Sequence, residues 1–197
     1  MTITAKQIAD LRARTGIGMM ECKKALEEAD GDQEKAIEVL RKRGMAKAAK
    51  RSERETKNGI VDSYIHGNGK IGVMVEVLAE TDFVAQNEEF KAFAHDIALH
   101  IAAMNPKYIA KEDVPADIVE KEKALFVEEV KALGKPAEIA EKIAEGKINK
   151  FLDEICLLGQ PFVKDQTKTV GDLLTDLTAK IGEKIVVGRF CRYEIGE

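Results

Sequence analysis

A single β-hairpin signal stands in a sequence whose other apolar residues mostly repeat at helical spacing. The segment HGNGK, at positions 66–70, stands between two β-rich runs, and its Asn-Gly pair tolerates the positive φ angles of a tight turn. In the second run Ile71, Val73 and Val75 alternate with Met74 and Glu76. A third β-rich run, KIVVGRFCRYEIGE, lies at the end of the sequence. We therefore predict an α+β fold with a small antiparallel sheet of about three strands, covered by helices.

The first 45 residues predict a compact module of three short helices. Thr4 is a candidate N-cap, Gly16 and Gly18 interrupt the first apolar stripe, and Asp32 is placed to cap the third helix. Residues 46–58 are basic and small, which predicts a helical tail that becomes a linker. We expect the α+β core to occupy residues 59–197.

Four further helices are predicted within the core. An amphipathic stripe starts at Phe90, a second helix begins near Pro115, and TVGDLLTDLTAKIGE indicates a last one. Between these, the run from residue 135 to 161 predicts a long helix. Its Gly146 costs about 1 kcal/mol relative to alanine, which favours a kink or a close approach of another segment. The segment PKYIA, at 106–110, is a candidate edge strand.

Composition limits the classes of function. The net charge of −4 argues against a protein whose main task is to coat nucleic acid, and no window approaches the length of a membrane span. We expect a cytoplasmic location. The basic tail at 41–54 leaves an alternative, an RNA- or ribosome-binding translation factor, although Glu53 and Glu55 interrupt it and no aromatic residue is interleaved.

No constellation for covalent chemistry is found in the sequence. Phosphate-binding loops, dinucleotide fingerprints and zinc-ligand spacings are absent, and the three histidines are scattered. The three cysteines suggest neither a disulfide framework nor a metal site. We therefore expect no enzymatic activity, no cofactor and no bound metal.

The stretch ETDFVAQNEEF, at 80–90, joins the alternating strand to the amphipathic helix. It places Phe83 directly after an acid, Asp82, where a buried element ends. Phe83 either seals the hydrophobic layer between strand and helix or stands outward as a wedge that enters another protein. Composition does not choose between these two interpretations.

Two long stretches resemble the bacterial elongation factor Ts family. They are LRARTGIGMMECKKALEEADGDQEKAIEVLRKRG and EVLAETDFVAQNEEF, and SYIHGNGKIGVMVEV, EIAEKIAEGKINKF and GQPFVKDQTKTVGDLL follow the same family in order. The resemblance implies a guanine nucleotide exchange factor for the GTPase elongation factor Tu, with a ubiquitin-associated-like N-terminal module. It further implies that Asp82 and Phe83 intrude near the Mg²⁺ site of the GTPase, while Thr81 and Val84 set the loop.

The same resemblance implies secondary contacts and an oligomeric state. Met19, Met20 and Lys23 would bind another surface of the GTPase, with support from His66. Many members carry a duplicated core, whereas this sequence has a single hairpin. We therefore expect a homodimer joined through the core sheets in a 2:2 complex, with Cys191 as a candidate dimer contact.

Overall fold

The computed structural model describes residues 3–51, 53–134 and 136–196, apart from the side chains of residues 48, 49 and 137. Its helices are α1 (Ala5–Thr15), α2 (Met19–Glu28), α3 (Gln33–Lys50), α4 (Asp82–Ala85), α5 (Glu88–Met104), α6 (Ala116–Ala132), α7 (Ala137–Ile155) and α8 (Val170–Ile181). Its strands are β1 (Asn58–His66), β2 (Ile71–Ala79), β3 (Pro161–Phe162), β4 (Asp165–Thr169) and β5 (Ile185–Glu194).

The main sheet is antiparallel, with the strand order β1-β2-β5. Strand β2 alternates as the sequence predicts, because Val73, Val75 and Val77 are buried while Met74 is exposed. In β5 the alternation of buried residues is limited to Ile185 and Val187. The α+β class and the small antiparallel sheet are thus confirmed.

The chain divides into two compact units, and the division passes through all three strands of the main sheet. The first unit contains residues 1–62, 75–95 and 173–188. The second contains residues 63–74, 96–172 and 189–197.

Three N-terminal helices in the first unit share a core of their own. Thr4 caps α1 through a capping box with Gln7, Gly16 ends it in the left-handed conformation, and Asp32 accepts backbone hydrogen bonds at the start of α3. Their buried residues are Leu11, Cys22, Ala25, Leu26, Ala29, Ala36 and Leu40. Helix α3 continues to Lys50, so the first part of the basic tail is helical.

The second unit includes the antiparallel helices α6 and α7. Val114, Ile148, Leu152 and Cys156 form a buried cluster beside them, and the rings of Phe126 and Phe151 meet edge to face at 6.4 Å. Helix α6 starts at Ala116, directly after Pro115, as predicted.

Three details in the second unit differ from the sequence predictions. Of the two alternatives predicted for Gly146, a kink or a close approach of another segment, the close approach is wrong, because a Cβ there would meet nothing within 4 Å. The candidate edge strand at 106–110 is a single bridge between Tyr108 and Cys156. The short hairpin of β3 and β4 was not predicted, because β3 is too short to show an alternating pattern.

Candidate protein-binding site

The TDFVA motif forms a single helical turn directly after β2. Thr81 is the N-cap of this turn, since its side chain accepts a hydrogen bond from the backbone N–H of Val84. The amide of Gln86 closes the turn on the carbonyls of Asp82 and Phe83. The motif is therefore short, helical and held at both ends.

Phe83 projects from this turn with 85% of its surface exposed. The next two residues are buried: Val84 is 5% exposed and Ala85 is 3% exposed. A residue that sealed the layer between strand and helix would be buried, so the interpretation of Phe83 as a core plug is wrong. Val84 anchors the turn through its buried side chain, whereas the side chain of Phe83 extends into solvent.

Asp82 lies beside Phe83 on the exposed side of the turn. Its carboxylate accepts a hydrogen bond of 3.2 Å from the side-chain amide of Gln86, one turn along. The exposed surface of the motif thus combines one large apolar ring with one carboxylate, a pairing suited to a crevice that has a cationic or amide-rich edge.

The base of the turn is tied to the loop between α8 and β5. Glu183 accepts two hydrogen bonds from Thr81, one from the backbone N–H at 3.1 Å and one from the hydroxyl at 2.9 Å. The residue before the motif, Glu80, accepts the backbone N–H of Lys184 at 2.6 Å. These contacts join segments 102 and 104 positions apart in sequence.

Glu80 is also bound by Arg54, which precedes β1, and by Asn58, the first residue of β1. Arg54 donates to its carboxylate at 2.9 Å, and Asn58 donates to its backbone carbonyl at 2.8 Å. The hydrogen bond from the Lys184 amide, aided by Arg54, lowers the pKa of the Glu80 carboxyl against the opposing effect of burial. Glu80 is therefore held in its charged form.

The secondary site residues lie in both units. Met19 and Met20, in the first turn of α2, are 40% and 65% exposed, so neither side chain is buried in the core of the three N-terminal helices. Lys23, one turn further, has a half-exposed side chain 3.7 Å from Glu27. His66, at the end of β1 in the second unit, is exposed and its Nδ1 lies 3.0 Å from the Tyr64 hydroxyl. Cys191 is half-buried with a free thiol.

Several cations of the basic tail take part in ion pairs. Arg43 contacts Glu28 at 2.6 Å, Lys47 lies 3.5 Å from Glu21, and Arg54 binds Glu80. Because these acids offset much of the local positive charge, the tail is a weak candidate for binding phosphates.

Within the described ranges, no group of three or more His, Cys, Asp or Glu side chains is arranged to hold a metal ion. None of the helices in that part of the chain is both long and apolar enough to cross a membrane.

Together these features define an α+β protein whose most distinctive surface is of the kind that proteins use to bind other proteins, an exposed aromatic ring on a fixed turn. A family model described as Elongation factor TS matches residues 3–197. The chain belongs to the elongation factor Ts family and is a translation elongation factor.

Individual relatives match over their whole length or nearly so. Elongation factor Ts of Alkaliphilus oremlandii is 58% identical over 197 residues, covering 100% of this chain and 91% of the relative. Those of Thermosipho melanesiensis and Fervidobacterium nodosum are 57% and 55% identical, and both relatives are covered over 100% of their length. The single-core length of this chain is therefore shared by other members.

Proposed function

We propose that this chain is a guanine nucleotide exchange factor for elongation factor Tu. It binds the GDP form of the GTPase in the cytoplasm and promotes release of GDP, so that GTP can bind. The chain itself performs no covalent chemistry and needs no cofactor. The family membership supports this function, and the exposure of Phe83 on its fixed turn is the single observation that carries the mechanism.

In this mechanism Asp82 and Phe83 intrude into the GTPase near its bound Mg²⁺. Magnesium demands near-ideal octahedral geometry at about 2.0–2.1 Å, and it bridges phosphate oxygens to the protein. A small displacement of the segments that hold the ion therefore weakens nucleotide binding. Phe83 supplies the apolar wedge, which enters between two helices of the GTPase, and Asp82 holds the helix that the wedge displaces. Thr81 and Val84 fix the turn that carries both.

Exchange follows from thermodynamic linkage. A partner that binds the nucleotide-free GTPase more tightly than the GDP form must weaken GDP binding by the same factor. The wedge weakens GDP binding only if its contacts with the nucleotide-free GTPase are more favourable than its contacts with the GDP form. A rigidly held turn favours this difference, because a flexible turn would adapt to both forms of the GTPase and discriminate less between them.

A second contact anchors the GTPase away from the nucleotide. Met19, Met20 and Lys23 present two exposed thioethers and a cation on α2. Methionine adapts to irregular apolar surfaces, so this patch suits a docking contact. We assign His66 a supporting role in binding the same partner.

The proposed active form is a homodimer that binds two GTPase molecules. Support comes from an exposed apolar face in the second unit, where Ile65 and Met74 are 65% and 53% exposed. A Cβ at Gly72 would meet Ile65 at 3.3 Å, so Gly72 and Ile65 share one face of the hairpin, and Met74, two residues further, shares it too. Cys191 is the candidate thiol at this contact.

The test of the function is release of a fluorescent GDP from elongation factor Tu at increasing concentrations of this chain. We expect the release rate to rise and then saturate. In a parallel equilibrium titration, the chain should bind nucleotide-free elongation factor Tu more tightly than the GDP form. Equal affinity for both forms, or an unchanged release rate, would contradict the proposal.

A further inference from the structure

The contact between the TDFVA motif and the α8–β5 loop is reciprocal. In each segment a glutamate is followed by a residue whose backbone N–H binds the glutamate of the other segment. The N–H of Thr81 binds the carboxylate of Glu183, and the N–H of Lys184 binds the carboxylate of Glu80. We call these four residues the reciprocal clamp. All of them lie in the first unit, two just after the end of β2 and two just before the start of the neighbouring strand β5.

A turn as short as α4 needs such support. It has four residues, and forming an isolated helical turn is unfavourable because several dihedral angles are fixed for one hydrogen bond. The reciprocal clamp fixes the backbone of Thr81. Because the Val84 N–H donates to the Thr81 hydroxyl, the first residues of the turn are fixed as well. Phe83, being exposed, takes its direction from this backbone rather than from packing.

Glu183 is the residue of the clamp that acts most directly on the turn. It is half-buried, and it accepts both the N–H and the hydroxyl of the N-cap residue. The second bond also orients the Thr81 hydroxyl, which leaves its lone pairs free to accept from the amide of Val84. Charge-assisted bonds of this kind are stronger than neutral ones.

We infer that Glu183 is a positioning residue for nucleotide exchange, acting through Thr81 to aim Asp82 and Phe83. This inference rests on the proposed function. Glu183 itself does not enter the GTPase; it limits the directions in which the wedge can point. Its loss therefore lowers the discrimination between nucleotide-free and GDP-bound partner while leaving the α2 contact in place.

The first experiment separates rate from binding. With Glu183→Ala, the saturated rate of fluorescent GDP release should fall about tenfold, since a small misplacement of a positioned group has effects of this order or larger. The concentration that gives half the maximal rate should change little. Hydrogen exchange at the amides of Thr81 and Val84 should become faster.

Conservative variants test the geometry. Glu183→Gln can accept from the Thr81 N–H and donate to its hydroxyl oxygen, so it should restore most of the rate. Glu183→Asp is one methylene shorter and cannot reach both groups, so it should remain slow. If Glu183→Ala fails to fold, this pair decides the question alone. Equal rates for Glu183→Asp and the wild type would overturn the inference.

A double mutant tests whether Glu183 acts through the wedge. In the Phe83→Ala background, Glu183→Ala should add a smaller loss than in the wild type, because only Asp82 is left for it to position. A further loss of the same size as in the wild type would show an independent role and overturn the inference. Glu129→Ala, which removes a similar surface partner of Lys147 in the second unit, is the matched control and should be neutral.

The outcomes distinguish this inference from the proposed function. If Phe83→Ala slows release and Glu183→Ala does not, the positioning role is wrong and the exchange function stands. If the wild-type chain itself fails to accelerate release, the proposed function is wrong, and the positioning role is overturned with it.

Discussion

Burial keeps His100 neutral inside the second unit, where its ring also makes two hydrogen bonds. The backbone N–H of Val163 donates to Nδ1 at 3.2 Å, so the proton of the neutral ring is on Nε2, which donates to Gln160 at 2.9 Å. Gln160 in turn donates to the carbonyl of Glu154. Burial lowers the pKa of His100, and the hydrogen bond to Gln160 only partly opposes this effect.

A pH dependence of stability follows from this arrangement. In the unfolded chain His100 takes up a proton near its ordinary pKa of about 6.5, whereas in the folded chain it stays neutral to lower pH. The unfolded state then binds more protons, so the contribution of His100 to the free energy of unfolding should be complete above about pH 6.5 and fall as the pH is lowered towards the folded pKa. Urea unfolding at pH 7 and at pH 5.5 measures this loss.

His100→Gln tests the assignment. This variant should lose about 1–3 kcal/mol at pH 7, the range for disturbing a buried hydrogen-bonded group, and it should lack the His100 part of the pH dependence. His95→Gln, on the same helix with a half-exposed side chain, is the control for removing an imidazole. A pH dependence in His100→Gln equal to that of the wild type would show that other groups cause it.

Among the helices, two glycines have opposite surroundings. A methyl group added at Gly146, inside α7, would have no neighbour within 4 Å, whereas one added at Gly44, inside α3, would lie 2.9 Å from the Cβ of Ala179. Alanine has the higher helix propensity at both sites. The surroundings therefore decide the sign of the effect.

The two alanine substitutions should shift stability in opposite directions. Gly146→Ala should raise the free energy of unfolding by about 0.5–1 kcal/mol, because it gains helix propensity without a collision. Gly44→Ala should lower it by about 1–3 kcal/mol, because the methyl group overpacks against Ala179. Thermal and urea unfolding of both variants measure this difference. A rise in the free energy of unfolding for both variants would show that helix propensity alone decides the effect, and a fall for both would contradict the prediction for Gly146→Ala.

Local signals in the sequence were enough to predict most elements. Thr4, Gly16 and Asp32 supply cap chemistry that acts within one turn, and the alternation around Val75 records a sheet with one buried face. The β3–β4 hairpin could not be predicted, because the two residues of β3 are too few to show an alternating pattern. The reciprocal clamp could not be predicted for a different reason. It joins segments more than 100 positions apart, and no sequence pattern around Glu80 or Glu183 indicates the partner of its side chain.

The candidate site was only half predictable for the same physical reason. The motif identified Asp82 and Phe83 by resemblance, but whether Phe83 is buried depends on how the turn leaves β2. That direction is fixed by the buried Val84 and by Glu183, and the Glu183 contact is tertiary. Residue patterns alone were consistent both with a buried Phe83 that seals the hydrophobic layer and with an exposed Phe83 that enters another protein.

For the molecule as a whole, the homodimer is a prediction with a direct test. Sedimentation equilibrium at micromolar concentration should give twice the 21.7 kDa mass of one chain. Met74→Lys places a charge on the exposed hairpin face and should shift the mass towards the monomer, because burying an unpaired charge is costly. Leu125→Lys, at a comparably exposed site on α6, is the matched control. A wild-type monomer would contradict the prediction.

Asp82 and Phe83, carried on the clamped turn, are proposed to drive release of GDP from elongation factor Tu. The decisive experiment compares the saturated rate of fluorescent GDP release with the wild type, Asp82→Ala and Phe83→Ala. Because both side chains are exposed, the variants should keep their fold and their α2 contact. We predict a large fall in rate for Phe83→Ala and a smaller one for Asp82→Ala. Rates equal to that of the wild type in both variants would refute the wedge mechanism, even if binding survived.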